Sequence, residues 1–146
     1  MKLYILNGPN LNMLGKRNPD QYGRHTLAEI NELLVDTFPD HDFNFYQSNS
    51  EGAIVGVIHE LMNRSHDGLI ANFGAYTHTS IAIRDALEML PIPVVEVHLS
   101  NIHSRESFRH KTLTGAVSSG IIAGFGKHSY VLGVEALQRL VLNSNR

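Results

Sequence analysis

Glu96 and His98 are two residues apart in an apolar segment, a spacing that places both side chains on one face of a β-strand. A carboxylate beside an imidazole fixes the tautomer of the ring and stabilises its protonated form, as a general acid requires. The same spacing also fits a surface ion pair at a strand end. A parallel sheet, however, rarely holds charges in its interior without a functional reason. Both interpretations stay open from the spacing alone.

Tyr22 and Arg17 lie in a long polar segment, residues 8–25, which contains two prolines and three glycines. Irregular loops of this length in compact domains are typical of lids and binding loops. A phenol is a poor base at neutral pH, and a permanently charged guanidinium beside it favours the phenolate. One interpretation is therefore a base activated by Arg17. The other is a solvated Arg17 and a tyrosine that packs the loop down.

Uncharged polar groups follow other apolar segments. Asn10, Asn72 and His78 could hold hydroxyl groups or an ordered water, although asparagine near glycine is also ordinary turn chemistry. Backbone N–H groups at Leu99–Ser100 could bind a carboxylate if the following segment turns helical. Arg109 could pair with an anion or remain solvated.

Metal, phosphate and nucleic-acid sites are not indicated. His103 and His110 lack the spacing of a zinc motif, and His59-Glu60 is followed by Asn63 rather than a second histidine. The loop after the first apolar segment has no glycine-rich phosphate motif. The 12 Lys and Arg residues are scattered in a chain of net charge −2, whereas a nucleic-acid binder usually has a basic patch. We therefore expect no metal, no nucleotide at the phosphate-binding position and no nucleic-acid partner.

The composition is that of an ordinary globular protein, with 42% hydrophobic and 18% charged residues. A length of 146 residues predicts a single domain, 1–146. The chain has no cysteine, which is compatible with a reducing compartment. It shows neither a signal-like N-terminus nor an apolar run of membrane length. These features predict a cytoplasmic protein without membrane contact.

Short apolar segments alternate with amphipathic ones along the chain. Helices are predicted to begin after Thr26 and Ser50, near Thr79, and after Ser129, the first with capping-box spacing. Repeated β-α units predict an α/β fold: a parallel sheet with helices on both faces, for which we favour the flavodoxin-like strand order 2-1-3-4-5. Loops at the carboxyl ends of such strands converge, so we expect the polar residues above to meet. The predicted strands are 2–7, 42–47, 67–72, 93–98 and one within 117–125.

Three stretches together resemble the type II 3-dehydroquinate dehydratases, and the likeness spans nearly the whole chain. They are 7–15 (Asn-Gly-Pro-Asn-Leu-Asn-Met-Leu-Gly), 74–80 (Gly-Ala-Tyr-Thr-His-Thr-Ser) and 96–103 (Glu-Val-His-Leu-Ser-Asn-Ile-His). Further matches are Arg17, Pro19, Tyr22, Gly23, Arg84 to Leu87, Arg105, Phe108, Arg109, Gly124 to Gly126 and Tyr130.

The resemblance implies a flavodoxin-like three-layer sandwich and the cofactor-free conversion of 3-dehydroquinate into 3-dehydroshikimate in the shikimate pathway. It makes Tyr22 the base that takes the C2 proton, with Arg17 favouring the phenolate and the developing enolate. It makes His98, steered by Glu96, the acid that protonates the leaving hydroxyl. Asn10 would hold a water against the enolate oxygen.

The resemblance also implies the substrate-binding groups and the assembly. Asp85 would reach the site of a neighbouring subunit, in trimers that build a dodecamer. The groups that would bind the hydroxyls and carboxylate are Asn72, His78, Arg109 and the backbone of Leu99 and Ser100. Two alternatives from other classes are a non-catalytic flavodoxin-like binding module and a histidine-rich metal hydrolase.

The sequence departs from the family pattern in two places. Position 73 is Phe, where the family usually has a small residue or proline, and a large ring there could shift Asn72. His128-Ser129 precedes Tyr130, where a glycine is common; this is expected to be a structural variation.

Overall fold

The computed structural model describes residues 1–63 and 65–144. Its five strands form one sheet in the order β2-β1-β3-β4-β5, and every neighbouring pair is parallel. The predicted flavodoxin-like α/β architecture and strand order are confirmed. The strands are β1 (Lys2–Asn7), β2 (Asp42–Gln47), β3 (Gly68–Asn72), β4 (Val94–His98) and β5 (Gly120–Ala123).

Side-chain caps begin the long helices at the predicted places. Thr26 Oγ1 accepts a hydrogen bond from the Glu29 amide at 3.2 Å, and Ser50 Oγ accepts one from the Ala53 amide, also at 3.2 Å. Each bond satisfies one of the N–H groups that the first helical turn leaves unpaired. The helices are α1 (Pro19–Tyr22), α2 (Leu27–Thr37), α3 (Glu51–Leu61), α4 (Tyr76–Thr79), α5 (Ile81–Glu88) and α6 (His128–Ser144).

The segment after β3 differs from the prediction of a polar loop and a helix from about Thr79. One helical turn, α4, comes first, and α5 begins at Ile81. Ser80 caps α5, because its Oγ accepts from the Ile83 amide at 2.9 Å. The α4 turn directs polar side chains into the protein, so hydrophobic periodicity does not reveal it.

The predicted N-cap at Ser129 is wrong, because α6 already begins at His128. Ser129 lies inside the first turn and is fully buried, and its Oγ accepts from the Phe125 amide at 3.1 Å. The serine therefore fastens the preceding loop to the helix. Residues 8–25, predicted as an irregular loop, also contain regular secondary structure: a 3-10 turn at Leu11–Met13 and the helix α1.

Helices cover both faces of the sheet. Along β1, Leu3 and Ile5 belong to the core on the side of α2 and α6, whereas Tyr4 and Leu6 belong to the core on the side of α3 and α5. This alternation is the two-residue period of a strand buried on both faces. The two cores hold the strands in place, so that the carboxyl ends of β1, β3 and β4 meet at one edge. Every helix in the described residues is too short or too polar to cross a bilayer.

Candidate active site

A cavity opens at the carboxyl ends of β1, β3 and β4. The predicted site residues line it, apart from Glu96 and Asp85, so the loops after three strands do converge as expected. The lining residues are Pro9, Asn10, Leu11, Arg17, Tyr22, Asn72, Gly74, Ala75, His78, His98, Leu99, Ser100, Ile102, Arg105 and Arg109.

Glycines allow the loops after β1 and β3 to touch. The Gly8 amide donates to the Asn72 carbonyl at 2.7 Å, and a Cβ on Gly8 would collide with the Phe73 carbonyl oxygen. Gly74 has φ 57°, and a Cβ there would lie 2.9 Å from the Pro9 oxygen. Neither position has room for a side chain, and the positive φ at Gly74 also favours glycine. The close contact fixes the two cavity walls relative to each other.

Asn10 adopts a left-handed conformation with φ 68°, unlike any other non-glycine residue in 1–63 and 65–144. Asparagine tolerates this region better than most residues. The Asn10 amide donates to Asn49 Oδ1 at 3.0 Å, and its carbonyl accepts from the Met13 amide at 3.0 Å. These backbone bonds hold the turn that puts Asn10 on the cavity wall.

His98 and Glu96 form a pair beneath the cavity, with 3.0 Å between His98 Nε2 and Glu96 Oε2. Glu96 has no exposed surface and His98 is 5% exposed, so the surface ion pair that the spacing also allowed is wrong. Because the Glu96 oxygen accepts at Nε2, the other ring nitrogen of His98, Nδ1, is left for a ligand in the cavity.

Three threonines surround the Glu96 carboxylate. Oε1 accepts from Thr77 Oγ1 at 2.7 Å and from Thr114 Oγ1, and Oε2 accepts from Thr112 Oγ1 at 2.8 Å. Burial raises the pKa of Glu96, but hydrogen bonds from His98, Thr114 and Thr77 and the charge of His98 outweigh it, so the pKa lies below its usual value. The carboxylate is therefore an anion at neutral pH. Thr112 and Thr114 were not predicted, because nothing distinguishes Thr-Leu-Thr from a surface segment, and Thr77 lies in the matched stretch 74–80 but was given no role.

His78 lies beside His98, with ring centroids 6.4 Å apart and planes 19° apart. Its Nδ1 donates to the Lys111 carbonyl at 2.8 Å, because a carbonyl oxygen can only accept. Burial lowers the pKa of His78 and the charges of His98 and Arg109 lower it further, against the raising effect of the Lys111 bond. A neutral His78 with Nδ1 protonated leaves Nε2 as an acceptor.

Two guanidinium groups lie over the ring of Tyr22. The Arg17 guanidinium carbon is 3.8 Å from the ring centroid, and that of Arg105 is 5.0 Å from it. The ring also packs against the core on the α2 side, so it serves the loop's packing as well. Arg105, which the sequence reasoning did not single out as a site residue, donates from Nη1 to Ser100 Oγ at 3.3 Å.

Asn72 is held from behind by Tyr130. Its Nδ2 donates to Tyr130 Oη at 3.0 Å, and its Oδ1 accepts from the Gly74 amide at 3.1 Å. The Tyr130 hydroxyl in turn donates to Asn7 Oδ1 at 2.6 Å. The ring of Phe73 is fully buried in the core on the α3 side, so it points away from the cavity that Asn72 lines.

The remaining predicted residues divide into two groups. Leu99, Ser100 and Arg109 line the cavity, and Arg109 Nε donates to Glu106 Oε2 at 2.7 Å. Asp85 does not reach the cavity of its own chain; its side chain is 62% exposed and lies 3.1 Å from Arg84 Nη1. Within residues 1–63 and 65–144, no three His, Asp or Glu side chains are grouped to hold a metal ion.

Known proteins are similar to this chain in sequence and in fold. The family model described as Dehydroquinase class II matches residues 1–138. The 3-dehydroquinate dehydratase of Chlorobaculum tepidum is 53% identical over 136 residues, which are 92% of each chain. That of Pelodictyon phaeoclathratiforme is 51% identical over 138 residues, covering 94% of this chain and 91% of the relative.

Solved structures agree. The type II dehydroquinase from Butyrivibrio crossotus superposes with a TM-score of 0.92 at 40% identity, covering 94% of this chain and 97% of that one. The type II dehydroquinase from Propionibacterium acnes gives a TM-score of 0.88 at 38% identity, covering 97% and 96% of the two chains. On sequence and structure together, this chain belongs to the class II dehydroquinase family of hydro-lyases.

Proposed function

We propose that this enzyme removes water from 3-dehydroquinate to give 3-dehydroshikimate, with Tyr22 as the base and His98 as the acid. The observation that carries the proposal is that both residues line one cavity, Tyr22 stacked on Arg17 and His98 paired with Glu96. A proton beside a ketone needs a base and a stabilised enolate, and a tertiary hydroxyl leaves poorly unless it is protonated. The two residues meet these two needs.

The reaction proceeds in two steps. The Tyr22 phenolate takes the C2 proton, and the electron pair moves onto the ketone oxygen as an enolate. The enolate then collapses to the ketone, the C1–O bond breaks, and the departing hydroxyl takes a proton from His98 and leaves as water. Because Nε2 of His98 is bound to Glu96, Nδ1 delivers this proton. Asn10 holds a water against the enolate oxygen.

The other cavity residues bind and orient the substrate. Asn72 and His78 present uncharged groups to its hydroxyls, and neutral His78 accepts a hydrogen bond at Nε2. Arg109 and the backbone of Leu99–Ser100 bind the carboxylate. A cavity lined by uncharged polar side chains and by the cationic side chains of Arg17, Arg105 and Arg109 suits a ligand with several hydroxyls and one negative charge.

The single domain 1–146 acts in the cytoplasm within a larger assembly. The Asp85 carboxylate is exposed and lies outside its own cavity, which fits a role in the site of a neighbouring subunit. We propose trimers that build a dodecamer, each trimer completing its sites with Asp85. No metal or imine takes part in this route.

Adding 3-dehydroquinate and following the absorbance of the enone product tests the proposal. We expect steady product formation that EDTA does not reduce and that borohydride with substrate does not abolish. If the substrate binds without turnover, the chain is a binding module. Loss of activity in EDTA would instead support a metal-dependent hydrolase, and inactivation by borohydride would indicate an imine on a lysine.

A further inference from the structure

The Glu96 carboxylate is surrounded by hydrogen-bond donors from three parts of the chain. Thr77 comes from α4, Thr112 and Thr114 from the segment before β5, and His98 from β4 itself. Each carboxylate oxygen accepts two bonds, one pair from Thr77 and Thr114 and the other from Thr112 and His98. An ionised carboxylate only accepts, so every bond between Glu96 and a hydroxyl is donated by the threonine. The hydroxyls of Thr77, Thr112 and Thr114 also lie within hydrogen-bond distance of one another, where either oxygen can be the donor.

We propose that Thr77, Thr112 and Thr114 are positioning residues that keep Glu96 an anion throughout the reaction, so that the proton of His98 goes to the substrate and not to Glu96. This inference rests on the proposed role of His98 as the acid. The threonines are not among the residues that line the cavity; they act through Glu96 on His98.

The donor pattern opposes protonation of Glu96. A carboxylic acid carries its own hydrogen, which needs an acceptor, yet four donors already face the two oxygens. A proton arriving from His98 would therefore displace one of the hydroxyls from its bond. A buried anion is costly unless every lone pair is satisfied, and here the hydroxyls satisfy it without adding charge. Glu96 can then stabilise the cationic His98 before proton transfer and remain ionised beside the neutral ring afterwards.

Local geometry aims the hydroxyls at Glu96. The Gly115 amide donates to Thr112 Oγ1 at 2.9 Å, which leaves the Thr112 hydrogen free to point at the carboxylate. The Leu113 amide donates to the Thr77 carbonyl at 2.8 Å and ties the two threonine segments together. A Cβ on Gly115 would lie 2.4 Å from Ile121 Cδ1 and 2.6 Å from Thr112 Cγ2, so a larger residue there would push on both side chains.

Two titratable groups act electrostatically with Glu96. His98 lies on the same strand, and His78 approaches from α4, on which Thr77 also lies. Arg109 acts in turn on His78. Since hydrogen bonds lower the pKa of Glu96, removing a hydroxyl raises it, and the acid side of the pH–rate profile moves to higher pH.

Replacing threonine with valine removes the hydroxyl and keeps the shape. In enzyme that turns over 3-dehydroquinate, Thr112→Val and Thr114→Val should lower kcat by roughly 10-fold or more, as expected for a lost hydrogen bond to a charged group. KM should change by less than about 3-fold, because the cavity lining is intact, and the acid limb of kcat should shift upward. Thr112→Ser and Thr114→Ser keep the hydroxyl and should restore most of the rate.

A second variant perturbs the position of Thr112 while keeping all three threonine hydroxyls. Gly115→Ala crowds both Ile121 and Thr112, and the displacement of Thr112 should lower kcat as the valine variants do. Gly56→Ala on α3 is the matched control, because a Cβ there meets nothing within 4 Å, and its kcat should equal that of the wild type.

A readout without substrate separates this inference from the proposed function. In protein labelled with ¹³C-glutamate, the Glu96 carboxyl resonance should titrate at higher pH in Thr114→Val than in the wild type. Folded valine variants with wild-type kcat, wild-type pH profile and unchanged Glu96 titration would overturn the inference. If the wild type does not convert 3-dehydroquinate but Glu96 still titrates at higher pH in Thr114→Val than in the wild type, the proposed function is refuted. The effect of the threonine on Glu96 is then retained.

Discussion

The guanidinium of Arg17 stacks on the ring of Tyr22, with 3.8 Å from its carbon to the ring centroid. Both residues belong to the segment between β1 and α2, so the pair moves as one unit if that segment moves. Arg105, 5.0 Å from the same ring on its own loop after β4, links the unit to the sheet. A cation that is present at every pH in the working range thus accompanies the phenol.

Tyr22→Phe removes one oxygen and keeps the ring, so packing should survive while proton abstraction should not. We expect kcat to fall by at least the ~10²-fold typical of losing a general base, with binding of a substrate analogue largely retained. Product absorbance and analogue titration measure the two effects. If Tyr22→Phe turned over normally while His98→Ala did not, the base would lie elsewhere, and His78 would be the first candidate.

Arg17→Ala should also reduce turnover, because the phenolate loses its stacked cation. Arg17→Lys should recover only part of the rate, since the charge returns without the planar group that stacks on the ring. The exposed Arg24, which does not line the cavity, supplies the control Arg24→Ala with unchanged kcat. Equal rates for the alanine and lysine variants at position 17 would argue against a role for the charge.

The segment 16–25 should open when the cavity is empty, because most of its residues are exposed. Trypsin should cut after Lys16, Arg17 or Arg24, and a substrate analogue should slow this cleavage. Mass spectrometry of the fragments gives both site and rate. Cleavage at the same rate with saturating analogue would mean that the segment does not close over the ligand.

Tyr130→Phe should destabilise the protein, because it leaves Asn7 Oδ1 and Asn72 Nδ2 buried without the hydroxyl that joins them. Each lost partner costs about 1–3 kcal/mol. The free energy of unfolding, measured in urea, should therefore decrease by an amount in that range or larger. KM should rise as well, since Asn72 loses its support. Tyr76→Phe, which removes an exposed hydroxyl bound to the Asn49 carbonyl, should change stability little. An unchanged stability for Tyr130→Phe would mean that the buried amides find other partners.

Asp85 offers a test of shared sites. Inactive Asp85→Ala chains co-refolded with inactive Tyr22→Phe chains should regain some activity, because hybrid sites can combine an intact Tyr22 with an intact Asp85. Each variant refolded alone is the control and should stay inactive. No recovery in verified mixed oligomers would place Asp85 in the site of its own subunit or outside the chemistry.

The features that could be predicted from the sequence are those that depend on a local pattern of residues, namely the strands and two helix caps. Strands appear as short apolar runs, and the parallel order brings their polar ends together, which is why Asn10, Asn72, His78 and His98 could be expected at one edge. The caps at Thr26 and Ser50 follow from the first turn of a helix alone. Ser129 shows the limit of that signal, because a serine near a helix start can equally bond backward to a loop.

The partners of Glu96 and Tyr22 could not be predicted, because they come from distant segments. In the sequence Thr112 and Thr114 are typical of a surface loop, yet in the fold both donate to Glu96. Likewise, Arg105 is typical of a surface charge in the sequence, yet it lies over the Tyr22 ring. The α4 turn was missed for the same reason, since Thr77 points at Glu96 and contributes nothing to an apolar stripe. Contacts between segments that are distant in the sequence decided each case: hydrogen bonds for the threonines and a cation–π contact for Arg105.

The proposed acid and the proposed base are anchored in very different parts of the molecule. His98 is the last residue of an interior strand between two cores, whereas Tyr22 ends a single helical turn in a surface segment. Substitutions within residues 16–25 are therefore expected to change the motion of this segment without weakening the sheet. Thermal stability and turnover rate would then respond to substitutions in different parts of the chain.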